Sequence, residues 1–282
     1  MRSLKFKQVD AFTRTPFRGN PVAVVLGGGG LSTAKMQHIA KWTNLSETTF
    51  VLPSKRADYR LRIFSPSMEL PFAGHPTLGS AHAALEAGLC RPKGGKFRQE
   101  CGAGVLELSL EGDGIWVQSP EARTVFHGGS FAGELRKVIG AKFSGTPCVV
   151  SVGPVWIVAD LGSAAAVDRL VPDMTAITRF TEARKLTGIT VFGAARAGGA
   201  AIHVRSFAPA HGIPEDPVCG SGNISIAAYL RTTGQEARFG RRYLARQGMQ
   251  LGRDGKVGIR FAPGGILLGG SAVTCVDGTL RI

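Results

Sequence analysis

The chain opens with segments in which apolar and polar positions alternate: Leu4 to Phe12, Asn20 to Leu26, Thr49 to Leu52 and Tyr59 to Phe64. A period of two sends successive side chains to opposite faces of an extended backbone, so these segments predict β-strands. Val105 to Leu110 and Ile115 to Gln118 flank Glu111-Gly112-Asp113-Gly114 and predict a hairpin. Helical spacing is rarer. Ser32 to Thr43 reads as a helix that Ser32 can cap, and Pro76 to Ala87 as one that ends at Gly88. Ala132 to Val138 and Pro217 to Arg231, the latter stopping near Gly234, complete the set. The class predicted is strand-rich α+β.

Two stretches in different parts of the chain share an ordered string of residues. Arg62-Ile-Phe64-Ser-Pro66 returns as Arg205-Ser-Phe207-Ala-Pro209. Each is followed by the spacing x-Pro-x-x-Gly-Ser, as His75-Pro76-Thr77-Leu78-Gly79-Ser80 and as Asp216-Pro217-Val218-Cys219-Gly220-Ser221. The economical reading is two similar half-domains, residues 1–120 and 121–271, with a last strand, 272–282, returning to the first. Proline is favoured at the first position of a helix, and the residue before it is pushed out of the helical region. His75 and Asp216 are therefore the predicted N-caps. The segments that follow carry almost no charge, which predicts a buried central helix in each half. Helix N-termini with unpaired N–H groups would suit an anion such as a substrate carboxylate.

Composition narrows this picture. With 282 residues the chain can bury a sizeable core, and 44% hydrophobic against 19% charged residues excludes a disordered chain. Glycine, at 39 residues, favours turns and close backbone approaches over long helices. The net charge of +14 is compatible with anionic partners. Five cysteines (Cys90, Cys101, Cys148, Cys219, Cys275) without a C-x-x-C pattern argue against a disulfide framework or a zinc site. The apolar stretches are too short to span a bilayer, and MRSLKFKQVD runs into an alternating polar segment rather than a secretory leader. The expectation is a soluble cytoplasmic protein with reduced thiols.

Several residues could carry chemistry. Glu47 lies in Asn44-Leu-Ser-Glu47-Thr-Thr-Phe, after a helical stretch and before a β-branched run. Asn44 and Glu47 have capping-box spacing, yet the residues that follow prefer a strand. A carboxylate at the mouth of a strand entering a core would be partly desolvated, which raises its pKa and suits a general base or acid. The matching stretch of the second half, Thr187 to Phe192, has no carboxylate, which fits a single-base shuttle. Asp216 is a common helix cap, whereas His75 between Gly74 and Pro76 is harder to explain by local structure. Ser80 and Ser221 read as small residues that let helix and sheet approach. Cys219 sits where a thiol pKa would be lowered, but the first half offers no second thiol for a two-thiol racemase. The Gly27 to Gly30 run lacks a dinucleotide fingerprint, and the six histidines have no metal-ligand spacing, so no metal is expected. Arg238, Arg241, Arg242 and Arg246, with Phe239 and Tyr243, read as a solvated basic strand rather than a nucleic-acid surface.

These motifs together resemble the phenazine-biosynthesis PhzF-like isomerases, which share the diaminopimelate epimerase fold. The likeness runs through Val9-Asp10-Ala-Phe12, Gly19-Asn20-Pro21, Asn44 to Phe50, Phe72 to Gly79, Glu215 to Ser221 and Gln247-Gly248. It implies two pseudo-symmetric half-domains, each a mostly antiparallel sheet wrapped around a central helix. It implies that Glu47 is the acid/base that moves a proton between carbons, with His75 and Asp216 as catalytic partners that orient polar groups of the substrate. Ser221 and the N–H groups of Gly74 and Gly220 are implied to hold the substrate. No cofactor is implied, and a homodimer is. Three departures stand out: Cys219 where Thr is usual, Arg246 where Glu commonly precedes Gln-Gly, and Asp254 where Pro is usual.

The function expected is a cofactor-independent isomerase of a small carboxylate, similar in chemistry to the family's isomerisation of trans-2,3-dihydro-3-hydroxyanthranilate. A racemase or epimerase with Cys219 as one base is the first alternative. A non-catalytic protein that binds anions or nucleic acid is the second, although the absence of a nucleic-acid motif weighs against it.

Overall fold

The computed structural model describes residues 2–195 and 199–282. The chain divides into two compact units, Met1–Gln118 with Gly269–Ile282, and Ser119–Leu268.

The first unit is built on β1 (Ser3–Ala11), β2 (Asn20–Leu26), β3 (Thr48–Leu52), β4 (Tyr59–Phe64), β5 (Glu69–Leu70), β6 (Lys96–Cys101), β7 (Gly104–Glu111) and β8 (Gly114–Gln118), with the last strand of the chain, β18 (Ala272–Arg281). β18 runs antiparallel to β1, β1 to β2, β3 to β4, β4 to β5, β6 to β7 and β7 to β8. Two pairs are parallel, β2 with β3 and β4 with β6. Helix α1 (Thr33–Thr43) covers the outer face, where Met36, Ile39 and Ala40 pack with Leu4, Val25, Phe50 and Phe64. Helix α2 (Gly74–Glu86) lies against β1 and β2 and is buried along most of its length. A Cβ on Gly79 would stand 2.4 Å from Val22, so only glycine permits this approach of helix to strand.

The second unit contains β9 (Arg123–His127), β10 (Cys148–Ser151), β11 (Val155–Ser163), β12 (Gly188–Ala194), β13 (Ile202–Ala208), β14 (Ile213–Asp216), β15 (Arg242–Gln247) and β16 (Gly255–Ala262), followed by β17 (Gly265–Gly270). Its outer helices are α3 (Ala132–Ile139), α4 (Ala164–Asp168) and α5 (Met174–Glu182), which share a core with Ile157, Ile189, Val191 and Phe207. Its central helix is α6 (Gly220–Thr232). The pairing sequence repeats that of the first unit: β9, β10 and β11 are successively antiparallel, β11 and β12 parallel, β12, β13 and β14 antiparallel, β13 and β15 parallel, β15 and β16 antiparallel. The internal repeat is thus a repeat of topology.

The two repeated strings fare differently. Arg62 faces Phe50 of β3 and Arg205 faces Val191 of β12, so the first string marks equivalent positions. Each arginine forks onto a glutamate, Arg62 on Glu69 and Arg205 on Glu215, and each lies 5.1 Å from the ring of the phenylalanine two residues on. The x-Pro-x-x-Gly-Ser string does not mark equivalent positions. Helix α2 begins at Gly74, so His75 and Pro76 lie in its first turn, and its N-cap is Ala73, without a side-chain bond. Helix α6 begins only at Gly220, and its N-cap is Cys219. His75 and Asp216 are therefore not the caps that the prolines suggest. A proline needs no N–H anywhere in the first turn, so Pro76 fits as the third helical residue. Pro217 instead follows β14 in a turn. Counted from the helix starts, the counterpart of His75 is Ser221, and that of Pro217 is Pro71. Among the described residues no helix is long and apolar enough to cross a membrane.

Candidate active site

Asn44 ends α1 in a left-handed conformation, φ 55°, with its N–H bonded to the carbonyl of Ala40. It is thus a C-cap and no part of a capping box. The chain then turns through Ser46 and enters β3, and the Glu47 carbonyl accepts from the Ala23 N–H of β2 at 3.3 Å. This tether to a core strand places the Glu47 carboxylate beside the first turn of α2. Its Oε2 lies 3.1 Å from Nε2 of His75, with the two side chains 14% and 7% exposed. The atoms stand at ion-pair distance without the alignment of a hydrogen bond between them. Burial pushes the Glu47 carboxyl up from its ordinary value of 4.5 to about 7, against a smaller opposing pull from a Ser46 hydrogen bond. A carboxyl poised near neutrality is populated in both protonation states, as a group that takes and returns a proton requires.

Around α6 a second set of polar groups is organised. Asp216 ends β14, and its Oδ1 accepts from the Val218 N–H at 3.0 Å, closing a short turn. The Cys219 sulfur accepts from the Gly222 N–H at 3.3 Å and lies 3.5 Å from Oγ of Ser221. The indole N–H of Trp156, on β11, donates to the same Oγ at 3.0 Å. Indole can only donate, so the Ser221 oxygen is the acceptor there and its own proton is directed elsewhere. The Cys219 thiol is pushed well above its ordinary value, first by burial and then by the charge of Asp216. The lowering expected at a helix start is overridden, and the thiol stays protonated.

Glu47 and His75 are thus brought together in the first unit, while Asp216, Cys219, Gly220 and Ser221 share one turn in the second. Ser80, read as a packing residue, bonds the Thr49 hydroxyl at 2.7 Å. The basic stretch is partly spent in ion pairs, Arg238 with Asp160 and Arg246 with Asp254. Sequence reasoning missed Trp156, Asn223 and Gln247. Gln247 was visible only as part of a motif, and nothing in the sequence marks Trp156 as the donor to Ser221.

Comparison with known proteins agrees with this architecture. The sequence profile of a family described as phenazine biosynthesis-like protein, PhzC-PhzF, matches residues 9–278. The chain belongs to this family. By that membership it is an enzyme of the isomerase class. It is 36% identical to a trans-2,3-dihydro-3-hydroxyanthranilate isomerase of Pseudomonas chlororaphis, over 87% of this chain and 86% of that protein. It is 38% identical to Antisense-enhancing sequence 1 of Schizosaccharomyces pombe, over 99% of each. A crystal structure of a PhzF-family protein from Bacillus anthracis superposes with a TM-score of 0.87 at 26% identity, each chain covered completely. The fold is the α+β, diaminopimelate epimerase-like one.

Proposed function

We propose that this PhzF-family member is a cofactor-independent isomerase that moves a proton between two carbons of a small unsaturated carboxylate. The observation that carries the reading is the buried Glu47 carboxyl, with a pKa of about 7, at 3.1 Å from His75 Nε2. As the carboxylate, Glu47 takes a proton from an activated C–H; as the acid, it returns that proton to another carbon of the same π system. His75, beside it, orients a polar group of the substrate. The N–H groups of Gly74 and Gly220 each belong to a first helical turn, which leaves them without an intrahelical acceptor and favours anions, and each is assigned to substrate binding in its own unit. Asp216 and Ser221 orient polar groups of the substrate. A trans-2,3-dihydro-3-hydroxyanthranilate-like acid is the substrate class that the relatives favour. The protein acts as a homodimer in the cytoplasm.

The test is incubation in D2O with trans-2,3-dihydro-3-hydroxyanthranilate and related unsaturated acids, followed by NMR. Isomerisation or C–H deuteration that disappears in Glu47→Gln is the expected result. Turnover that survives in that variant would remove Glu47 from the chemistry. A thiol mechanism is tested separately. Cys219→Ser keeps an N-cap acceptor and is expected to retain most of the activity, and a loss of more than about a hundredfold would show that the thiol takes part.

A further inference from the structure

The turn from Asp216 to Cys219 is held by a side-chain pair that lies outside the proposed proton path. Gln247, the last residue of β15, is fully buried, and its Nε2 donates to the main-chain carbonyl of Asp216 at 2.9 Å. Its Oε1 accepts from Nδ2 of Asn223 at 3.0 Å, and the same Nδ2 donates to the Cys219 carbonyl at 2.8 Å. Two amides therefore bridge both ends of the turn to the strand. The backbone around them is shaped for this contact. Gly248 has φ +98°, and a Cβ there would lie 2.4 Å from the Pro217 carbonyl oxygen; one on Gly255, which pairs with Gln247, would lie 2.3 Å from Val218.

The first unit has the same close approach, but its buried amide, Gln99, donates to Thr77 Oγ1 at 3.4 Å and accepts from the Tyr59 hydroxyl at 2.9 Å. There Gly102 follows β6 and presses on Pro71, where a Cβ would come within 2.7 Å of the proline Cα. The residue before it, in the place of Gln247, is Cys101, and Thr77 stands in the place of Asn223. The close approach of strand and turn belongs to the fold, whereas the amide clamp belongs to one half.

We infer that Gln247, through Asn223, is a positioning residue for substrate binding: it fixes the main chain from Asp216 to Cys219 so that the Asp216 carboxylate and the first N–H groups of α6 keep one orientation. The inference rests on the reading above that this turn holds the substrate. A free turn would have to be ordered on binding, which weakens affinity without altering the proton transfer at Glu47.

Gln247→Met keeps the length of the side chain and removes both bonds, and Asn223→Ala removes one arm. In amide hydrogen exchange, Gln247→Met is expected to speed exchange across residues 216–223 by about tenfold or more, with the first unit at wild-type protection. On a substrate that the wild type turns over, KM should rise about tenfold with kcat nearly unchanged, and Asn223→Ala should shift both readouts in the same direction by less. Wild-type exchange across 216–223 would overturn the clamp, and so would a fall in kcat at constant KM. If Gln247→Met does not fold, Asn223→Ala decides by the same two readouts. Absence of any Glu47-dependent turnover in the wild type would overturn the functional reading instead, and the exchange measurement would still decide the clamp.

Discussion

Glu47→Gln is expected to lower kcat by about 10²–10⁴-fold, the range that a positioned general acid/base supplies, while the protein remains folded. The amide matches the carboxyl in shape and cannot take a proton from carbon. Activity in the wild type should rise with pH along a limb centred at about 7, where burial places the Glu47 carboxyl, if abstraction by the carboxylate limits the rate. The same burial has a consequence for stability. Unfolded, Glu47 titrates near its ordinary 4.5; folded, near 7, so between those values the native state binds more protons. The contribution is full below about pH 4.5 and is lost as pH rises through about 7, a difference of about 3 kcal/mol over the window. The amide of the Glu47→Gln variant does not titrate. The stability of the variant relative to wild type should therefore climb by about 3 kcal/mol between about pH 4.5 and 8, in urea melts at a series of pH values. A flat difference would place the Glu47 carboxyl in water, and with it remove the reason for its poise.

A substitution that impairs catalysis and stabilises the fold marks a residue kept for chemistry at a cost to stability. The desolvated placement of Glu47 was legible in the sequence for a physical reason. A lone carboxylate before a β-branched run has few local uses, and Asn44 proves to be an αL cap rather than its capping partner. The strand pattern was legible for the same kind of reason: β2 and β4 have the boundaries predicted from their apolar positions, and Ser32 caps α1 through the Lys35 N–H. What the sequence misaligned was the pair of helix starts. Proline restricts its own backbone and that of its neighbour, but a first turn tolerates it at several positions, so x-Pro-x-x-Gly-Ser could not fix the register of α2 on α6. The strands could, because Arg62 and Arg205 each sit opposite a core strand and reach for a glutamate on the next one. The amide clamp was invisible, since Gln247 and Asn223 meet only when β15 and α6 are packed together.

Arg205 and Arg62 offer an internal experiment on the same interaction in two surroundings. Both fork onto a glutamate through two hydrogen bonds, and both stack at 5.1 Å on a phenylalanine. They differ in exposure: the side chains of Arg205 and Glu215 are 5% and 6% exposed, those of Arg62 and Glu69 16% and 38%. Arg205 also donates to the carbonyls of Val167 and Leu170, at the end of α4 and just beyond it. Removing one partner of a buried pair leaves the other charge uncompensated, so Arg205→Met should cost about 3–5 kcal/mol. Arg62→Met leaves Glu69 able to reach water and should cost about 1 kcal/mol or less. Glu215→Leu added to Arg205→Met should recover part of the loss, because the stranded carboxylate is removed. Urea melts of the three variants read these differences directly, and equal losses at Arg62 and Arg205 would mean that packing on the phenylalanine rings, not the burial of charge, sets the energy of both forks.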